Sequence, residues 1–202
     1  MNTGKGTFIV FEGLDGSGKS TQARRLAAHL ESAGRQVIFT HEPTLESEAG
    51  RRIRRTLQHE EPFPEPEEFQ LLYVEDRRIH TRDVILPALE SGTDVVGDRY
   101  VLSTVAYGTI GGCDLNWLYE INAEFPRPDI TFIIDASPEV CLERIGKRAE
   151  GLEYFERHQR FSKARETYRT LPSPSANVHL IDGERSEQEV FRDVLQLFNT
   201  RR

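Results

Sequence analysis

The chain has 202 residues, with 26 Lys and Arg against 33 Asp and Glu and a formal net charge of -7 at pH 7. That length suits one α/β domain whose core needs no disulfides, and the acidic balance gives no global pull toward nucleic acid or an anionic membrane, so any phosphate site must be local. No apolar run approaches the ~20 residues of a bilayer span. The N-terminus lacks the pattern of a signal peptide, and cysteine is confined to Cys113 and Cys141, with no CxxC and no nearby His pair. A cytoplasmic protein with reduced, packed thiols is expected.

Taken in order, the chain alternates short apolar, β-branched runs with helical patterns. Residues 7–12 (TFIVFE), 36–40, 94–97, 130–135 and 177–181 each read as a buried strand. Between them, residues 19–33 read as a helix stopped by Gly34, residues 47–59 as a second and residues 67–91 as a long third. Residues 114–124, a helix opening at Ser137-Pro138-Glu139, and residues 186–198 complete the set. Ser137 is placed to cap its helix with Pro138 at the first helical position, and Ser186 with Glu189 has the spacing of a capping box. The Pro-rich piece at 61–66 cannot continue a helix and is expected at the surface. Connections of this length argue parallel crossovers.

The first strand runs straight into Gly13, Leu14, Asp15, Gly16, Ser17, Gly18, Lys19, Ser20 and Thr21, then into a helix rich in Ala and Leu. That is GxxxxGK[ST] in its strand–loop–helix setting. The glycines let consecutive N–H groups turn onto phosphate oxygens, the helix N-terminus adds positive potential, Lys19 reaches the β and γ oxygens, and the Ser20 hydroxyl can ligate Mg²⁺. The motif specifies a nucleoside triphosphate; kinases, switch GTPases and motor ATPases share it.

The third strand ends in Asp98-Arg99-Tyr100, at the edge where open α/β sheets bind ligands. Asp98 can orient magnesium waters beside Ser20, and Arg99 can fork onto a phosphate. A salt bridge at a strand end is the plainer alternative for the pair. Asp135 is a second acidic candidate, but Ala136-Ser137-Pro138 follow it, so it reads as a helix-start or loop residue.

In this order FIVFEGLDGSGKST, LLYVEDR and DRYVLSTVAY are similar to the thymidylate kinase family, over nearly the whole chain. The resemblance implies a single domain over residues 1–202 with the three-layer P-loop NTPase fold, a five-stranded parallel sheet flanked by helices and a short lid over residues 144–156. It also implies ATP as donor with Mg²⁺, a deoxypyrimidine monophosphate as acceptor and a homodimer. By the same resemblance Asp15 lies near the acceptor's 3′-hydroxyl, Arg99 contacts its phosphate and Tyr73 stacks on the pyrimidine where the family usually has Phe. Arg77 meets a base carbonyl, Ser103 and Thr104 line the base edge, and Tyr107 stands where a ribose 2′-oxygen would need room. Stacking on an aromatic face is worth ~1–3 kcal/mol, and a buried Arg donor selects a carbonyl-bearing edge over an amino one. His41 replaces the Arg of the family's Thr-Arg-Glu-Pro, and Gly108 follows Tyr107 where the family prefers Ser, Thr, Ala, Asn or Gln.

Arg144, Lys147 and Arg148 precede the turn-like Ala149-Glu150-Gly151, either as a lid that covers the transferring group or as a solvated helix end favoured by the dipole. One form of the family carries its catalytic arginine in the phosphate loop and the other in the lid. With Gly16 after Asp15 this chain resembles the lid-arginine form, which makes Lys19, Arg99, Arg144 and Arg148 the expected catalytic cations. The expected reaction is ATP-dependent conversion of dTMP to dTDP. Competing readings are a kinase for another deoxypyrimidine nucleotide or a deoxynucleoside, and a P-loop switch, for which the guanine-reading Asn-Lys-x-Asp is missing from the sequence.

Overall fold

Every expected strand forms, displaced by at most one residue at either end: β1 Phe8–Gly13, β2 Val37–His41, β3 Asp94–Asp98, β4 Ile130–Asp135 and β5 Val178–Asp182. The computed structural model describes residues 4–146, 152–171 and 177–200, with 152–157 as backbone only. The strands are parallel and ordered β2-β3-β1-β4-β5, with Phe11 of β1 opposite Asp98 of β3. This register puts the segment after β1 beside the end of β3.

Alternation along each strand divides the core between the two faces of the sheet. Ile9 and Phe11 join Val96, Phe132, Ile134 and Ile181 beneath α1 (Lys19–Ser32) and α9 (Glu187–Thr200). Phe8, Val10 and Val95 pack on the opposite face under α3 (Pro66–His80) and α4 (Leu86–Glu90). Beside them Ile133 meets α5 (Val101–Ile110), α7 (Pro138–Ile145) and α8 (Leu152–Thr170) through Ala106, Cys141 and Tyr168. The remaining helices are α2 (Glu48–Leu57) and α6 (Leu115–Glu120). The layered parallel α/β fold expected from the sequence is the one observed. Among the described residues no helix is long and apolar enough to cross a membrane.

The helices depart from expectation more than the strands do. The single helix expected over 67–91 is α3 and α4 joined through a π-helical turn, Thr81–Ile85. Pro87 supplies the cause: it has no N–H, and its ring would strike the carbonyl of residue 83 in a regular helix. Helices α5 and α8 were not foreseen, since α5 (VLSTVAYGTI) is rich in β-branched residues with low helix propensity and is held by burial instead. Helix α6 is shorter than expected and is capped by Asp114, whose carboxylate accepts the Trp117 N–H at 2.9 Å. Ser137 makes no capping bond with its side chain, although Pro138 does open α7. The box at α9 closes: the Ser186 N–H donates to Glu189 at 3.1 Å and the Glu189 N–H donates to the Ser186 hydroxyl at 3.4 Å. Asp135 is the last residue of β4 and not part of a helix start; Arg165 of α8 holds its carboxylate from Nε at 2.7 Å and Nη2 at 3.0 Å. Cys113 and Cys141 are buried free thiols. Of the basic cluster at the expected lid, Arg144 is described, while Lys147 and Arg148 lie outside the described residues.

Helices α3 and α5 run side by side in opposite directions. The Arg77 Nη2 donates to the Thr104 hydroxyl at 3.0 Å at one end. Further along, a Cβ on Gly108 would lie 3.2 Å from Cγ of Gln70 and 2.6 Å from a methyl of Leu118. The absent side chain leaves room on α5 for Leu118 of α6 and, less tightly, for Gln70 of α3.

Candidate active site

The loop after β1 is shaped by positions that exclude a side chain. Gly13 has φ 136° and a Cβ there would meet the Ile134 carbonyl at 2.5 Å; Gly16 has φ 81° and a Cβ would meet the Cys141 carbonyl at 2.3 Å. Gly18, also left-handed, leads into α1 without any side-chain cap, so the first N–H groups of α1 stay open to an anion. The Ser17 hydroxyl is buried here without a hydrogen-bond partner. Lys19 is 6% exposed and its Nζ donates to the Leu14 carbonyl at 3.4 Å and to Asp15 at 3.2 Å. Burial pushes its ammonium pKa down and Arg99 adds to this, while Asp15 and Asp98 pull against them. The Leu14 side chain belongs to the core, leaving its backbone to the loop, and Thr21 is exposed on α1.

The Ser20 hydroxyl donates to Oδ2 of Asp98, across 78 residues of sequence. Oδ1 of Asp98 is buried without a partner. A hydroxyl beside a carboxylate with a spare oxygen is a hard-ligand pair of the kind that holds Mg²⁺ together with substrate phosphates, so these residues fit that ion.

Arg99 turns away from its neighbour Asp98. Its φ of 71° is left-handed, a conformation that a residue with a side chain holds only when its surroundings over-determine it. The turn sends the guanidinium to Asp15, which accepts from Nη2 at 2.5 Å, and to the Ser103 hydroxyl, which accepts from Nη1 at 2.9 Å. It also stacks over the Tyr107 ring at 5.3 Å. The plain strand-end salt bridge with Asp98 does not form. Burial works to raise the Asp15 carboxyl, but the charges of Arg99 and then Lys19 outweigh it and hold the group well below the usual carboxylate range. Asp15 therefore stands between the cation of the loop and the cation of β3.

A second group lines the α3 side. Tyr73 is half-buried, meets Phe69 edge-on at 5.4 Å, and is close enough to Arg99, Tyr107 and Asp15 for their charges to act on its hydroxyl, whose pKa burial raises. Arg77 is 1% exposed and spends Nε on Glu42 (2.9 Å), Nη1 on Asn122 (2.5 Å) and Nη2 on Thr104 (3.0 Å). Glu42 in turn accepts from Nδ1 of His80 at 3.0 Å. Sequence reasoning missed Glu12, Glu42, His80, Asn122 and Tyr168; the one available signal was a glutamate closing the otherwise apolar run TFIVFE. His41, where the resemblance has Arg, is exposed at the end of β2. Arg144 donates from Nη1 to the carbonyls of Ser17 at 3.2 Å and Gly183 at 2.8 Å, which places it against the phosphate loop itself.

A glycine-built anion loop, a serine–carboxylate pair and a half-buried arginine at the neighbouring strand end, on a parallel sheet, define a P-loop nucleotide-phosphate enzyme. Comparison with known proteins narrows the class. The family model described as thymidylate kinase matches residues 11–194. A probable thymidylate kinase from Pyrococcus horikoshii is 37% identical over 197 residues, covering 96% of each chain. A thymidylate kinase from Leptospira interrogans is 36% identical, covering 99% of this chain and 97% of its own. The solved thymidylate kinase of Candida albicans superposes with a TM-score of 0.80 at 24% identity, covering 97% of this chain and 92% of its own, a likeness of fold. The chain belongs to the thymidylate kinase family.

Proposed function

We propose that the protein transfers the γ-phosphoryl group of ATP to dTMP, giving dTDP for dTTP synthesis. The observation that carries the reading is the meeting of Lys19 and Arg99 on Asp15, at 3.2 and 2.5 Å. A donor-side cation and an acceptor-side cation meet on one carboxylate, so the two phosphates they would bind are brought to one place, as in-line transfer requires. The loop of Gly13, Leu14, Asp15, Gly16, Ser17, Gly18, Lys19, Ser20 and Thr21 binds ATP; Ser20 and Asp98 hold Mg²⁺, which neutralises phosphate charge when bound. Arg99 takes the acceptor phosphate, Asp15 the 3′-hydroxyl and Tyr107 the 2′ side of the sugar. Tyr73 faces the base, Ser103 and Thr104 line its edge and Arg77 reads it; one of Arg77's five donors remains once its Nη2 contact with Glu42 at 2.7 Å is added to the hydrogen bonds described above.

Arg144 and Arg148 complete the positive surroundings of the migrating group, Arg144 from its place against Ser17. No general base is needed, because the attacking phosphate oxygen is anionic at neutral pH and electrostatics with positioning suffice. Family membership supports a homodimer working in the cytoplasm. Coupled ADP release measured with dTMP, dUMP, dCMP, UMP and thymidine tests the assignment. The expected order places dTMP first in kcat/KM, and a preference for thymidine or for a ribonucleotide would overturn it.

A further inference from the structure

The carboxylate of Glu12 is 0% exposed at the end of β1, yet none of the nucleotide contacts proposed above uses it. A buried carboxylate is retained only where it is fully hydrogen-bonded. Its Oε1 accepts the N–H groups of Tyr100 at 2.9 Å and Ser103 at 3.1 Å. Its Oε2 accepts the Ser103 hydroxyl at 2.5 Å and the Tyr168 hydroxyl at 3.2 Å. Tyr100 is the N-cap of α5 and supplies no side-chain cap, and Ser103 lies in the first turn, where its N–H is shared between Glu12 and the Tyr100 carbonyl at 3.2 Å. A strand residue thus caps the helix, immediately after the left-handed Arg99, whose own N–H donates to the Phe11 carbonyl at 2.8 Å. Arg99 is clamped on both sides by β1.

The direction of each proton follows from chemistry. A guanidinium can only donate, so Arg99 gives a proton to the Ser103 oxygen at 2.9 Å, and Ser103 gives its own to the Glu12 carboxylate at 2.5 Å, nearer than the Tyr168 hydroxyl at 3.0 Å. Tyr168 lies 3.0 Å from the Ser103 oxygen and is 3% exposed near the end of α8. One turn earlier in α8, Arg165 grips Asp135 at the end of β4. The last turns of α8 are therefore fixed to two strand ends, and the chain of donors runs one way, from Arg99 to a carboxylate.

We infer that Glu12 and Tyr168 are positioning residues for the acceptor: through Ser103 they set the guanidinium of Arg99, and Tyr168 ties that setting to α8. The inference rests on Arg99 holding the acceptor phosphate, as proposed above. Removing one hydroxyl from such a charge-linked chain should weaken acceptor binding by about 10-fold without touching the donor loop.

The test is steady-state kinetics of Tyr168→Phe and Glu12→Gln, alone and in an Arg99→Ala background, with dTMP and ATP varied separately. Each single variant should raise the dTMP KM about 10-fold and leave the ATP KM within about two-fold of wild type. In the Arg99→Ala background, Tyr168→Phe should add less than about two-fold, because its effect travels through that arginine. If Glu12→Gln fails to fold, Tyr168→Phe carries the test by itself. An unchanged dTMP KM, an equal rise for both substrates, or an undiminished effect without Arg99 overturns the positioning role while the kinase reading stands. A wild-type protein inactive on every monophosphate overturns the kinase reading, and the acceptor role of Arg99 falls with it.

Discussion

The loop on the donor side is cut from one unbroken segment, residues 13–21, and its working parts are backbone groups, glycines and the side chains of Asp15, Lys19 and Ser20. The wall on the acceptor side is assembled from β1, β2, α3, β3, α5 and α8, with partners as far apart as Glu12 and Tyr168, 156 residues in sequence. In the loop, geometry follows from φ angles that glycine alone adopts easily and from carbonyls that leave no room for a Cβ. In the wall, geometry follows from hydrogen bonds between buried side chains, each meaningful only with its partner in place. A change in the loop should therefore strike the chemistry directly, and a change in the wall should strike binding and its fine adjustment.

The largest effect expected is that of Lys19→Ala. It removes the buried cation of the loop, and turnover at saturating ATP and dTMP should fall by roughly 10²–10³ or more, the usual loss when a preorganised charge is taken from a transition state. Circular dichroism should show the fold intact, and a near-normal kcat would break the donor side of the comparison. Tyr73→Ala should act more gently, costing ~1–3 kcal/mol of dTMP binding by loss of stacking with ATP affinity untouched. Calorimetric titration of both nucleotides reads this; equal weakening of the two would mean that Tyr73 supports the fold and does not face the base.

The smallest effect sharpens the picture of Glu12. Burial holds its carboxyl above the ordinary range, against the opposing pull of Ser103 and Arg99. Between the unfolded and folded pKa values the folded protein then binds more protons than the unfolded one, so stability falls as pH rises through that window. Glutamine does not titrate. The Tm of Glu12→Gln relative to wild type should therefore rise as pH climbs above the ordinary glutamate range, a few degrees at most, and melting curves with parallel pH dependence would show that the network compensates the charge in full.

This contrast also explains what could be read from the sequence. All five strands and the phosphate loop were legible, because each is a contiguous signal. Asp98 beside Ser20 was legible for the same reason, given parallel strands. The pairing of Arg99 with Asp15 was not, since it depends on a left-handed turn that no local pattern announces. Helix α5 was hidden by its Val, Thr and Ile residues; burial of Thr104, Val105 and Ala106 decides its conformation, and burial belongs to the fold. Glu42 stands in the stretch that resembles the family's Thr-Arg-Glu-Pro, which by itself gives it no role, while the structure sets it between Arg77 and His80 at 2.7 and 3.0 Å. Tyr73 and Arg77 were picked out only through their likeness to a family; as residues four apart on a helix they resemble many core pairs.

The missing side chain at Gly108 has a mechanical consequence. Ser103, Thr104 and Tyr107 ride on α5 as on one edge of a gauge, and Tyr73 and Arg77 ride on α3 as the other edge. Gly108 faces Gln70 of α3 and Leu118 of α6, at 3.2 and 2.6 Å from where its Cβ would be, so it sets how α5 beds against both. A single methyl there would have to move Leu118, which is 0% exposed and has nowhere to retreat without carrying its neighbours along. The placing of Tyr107 relative to Tyr73 is thus calibrated by subtraction, and its tolerance is held by a residue with no side chain of its own.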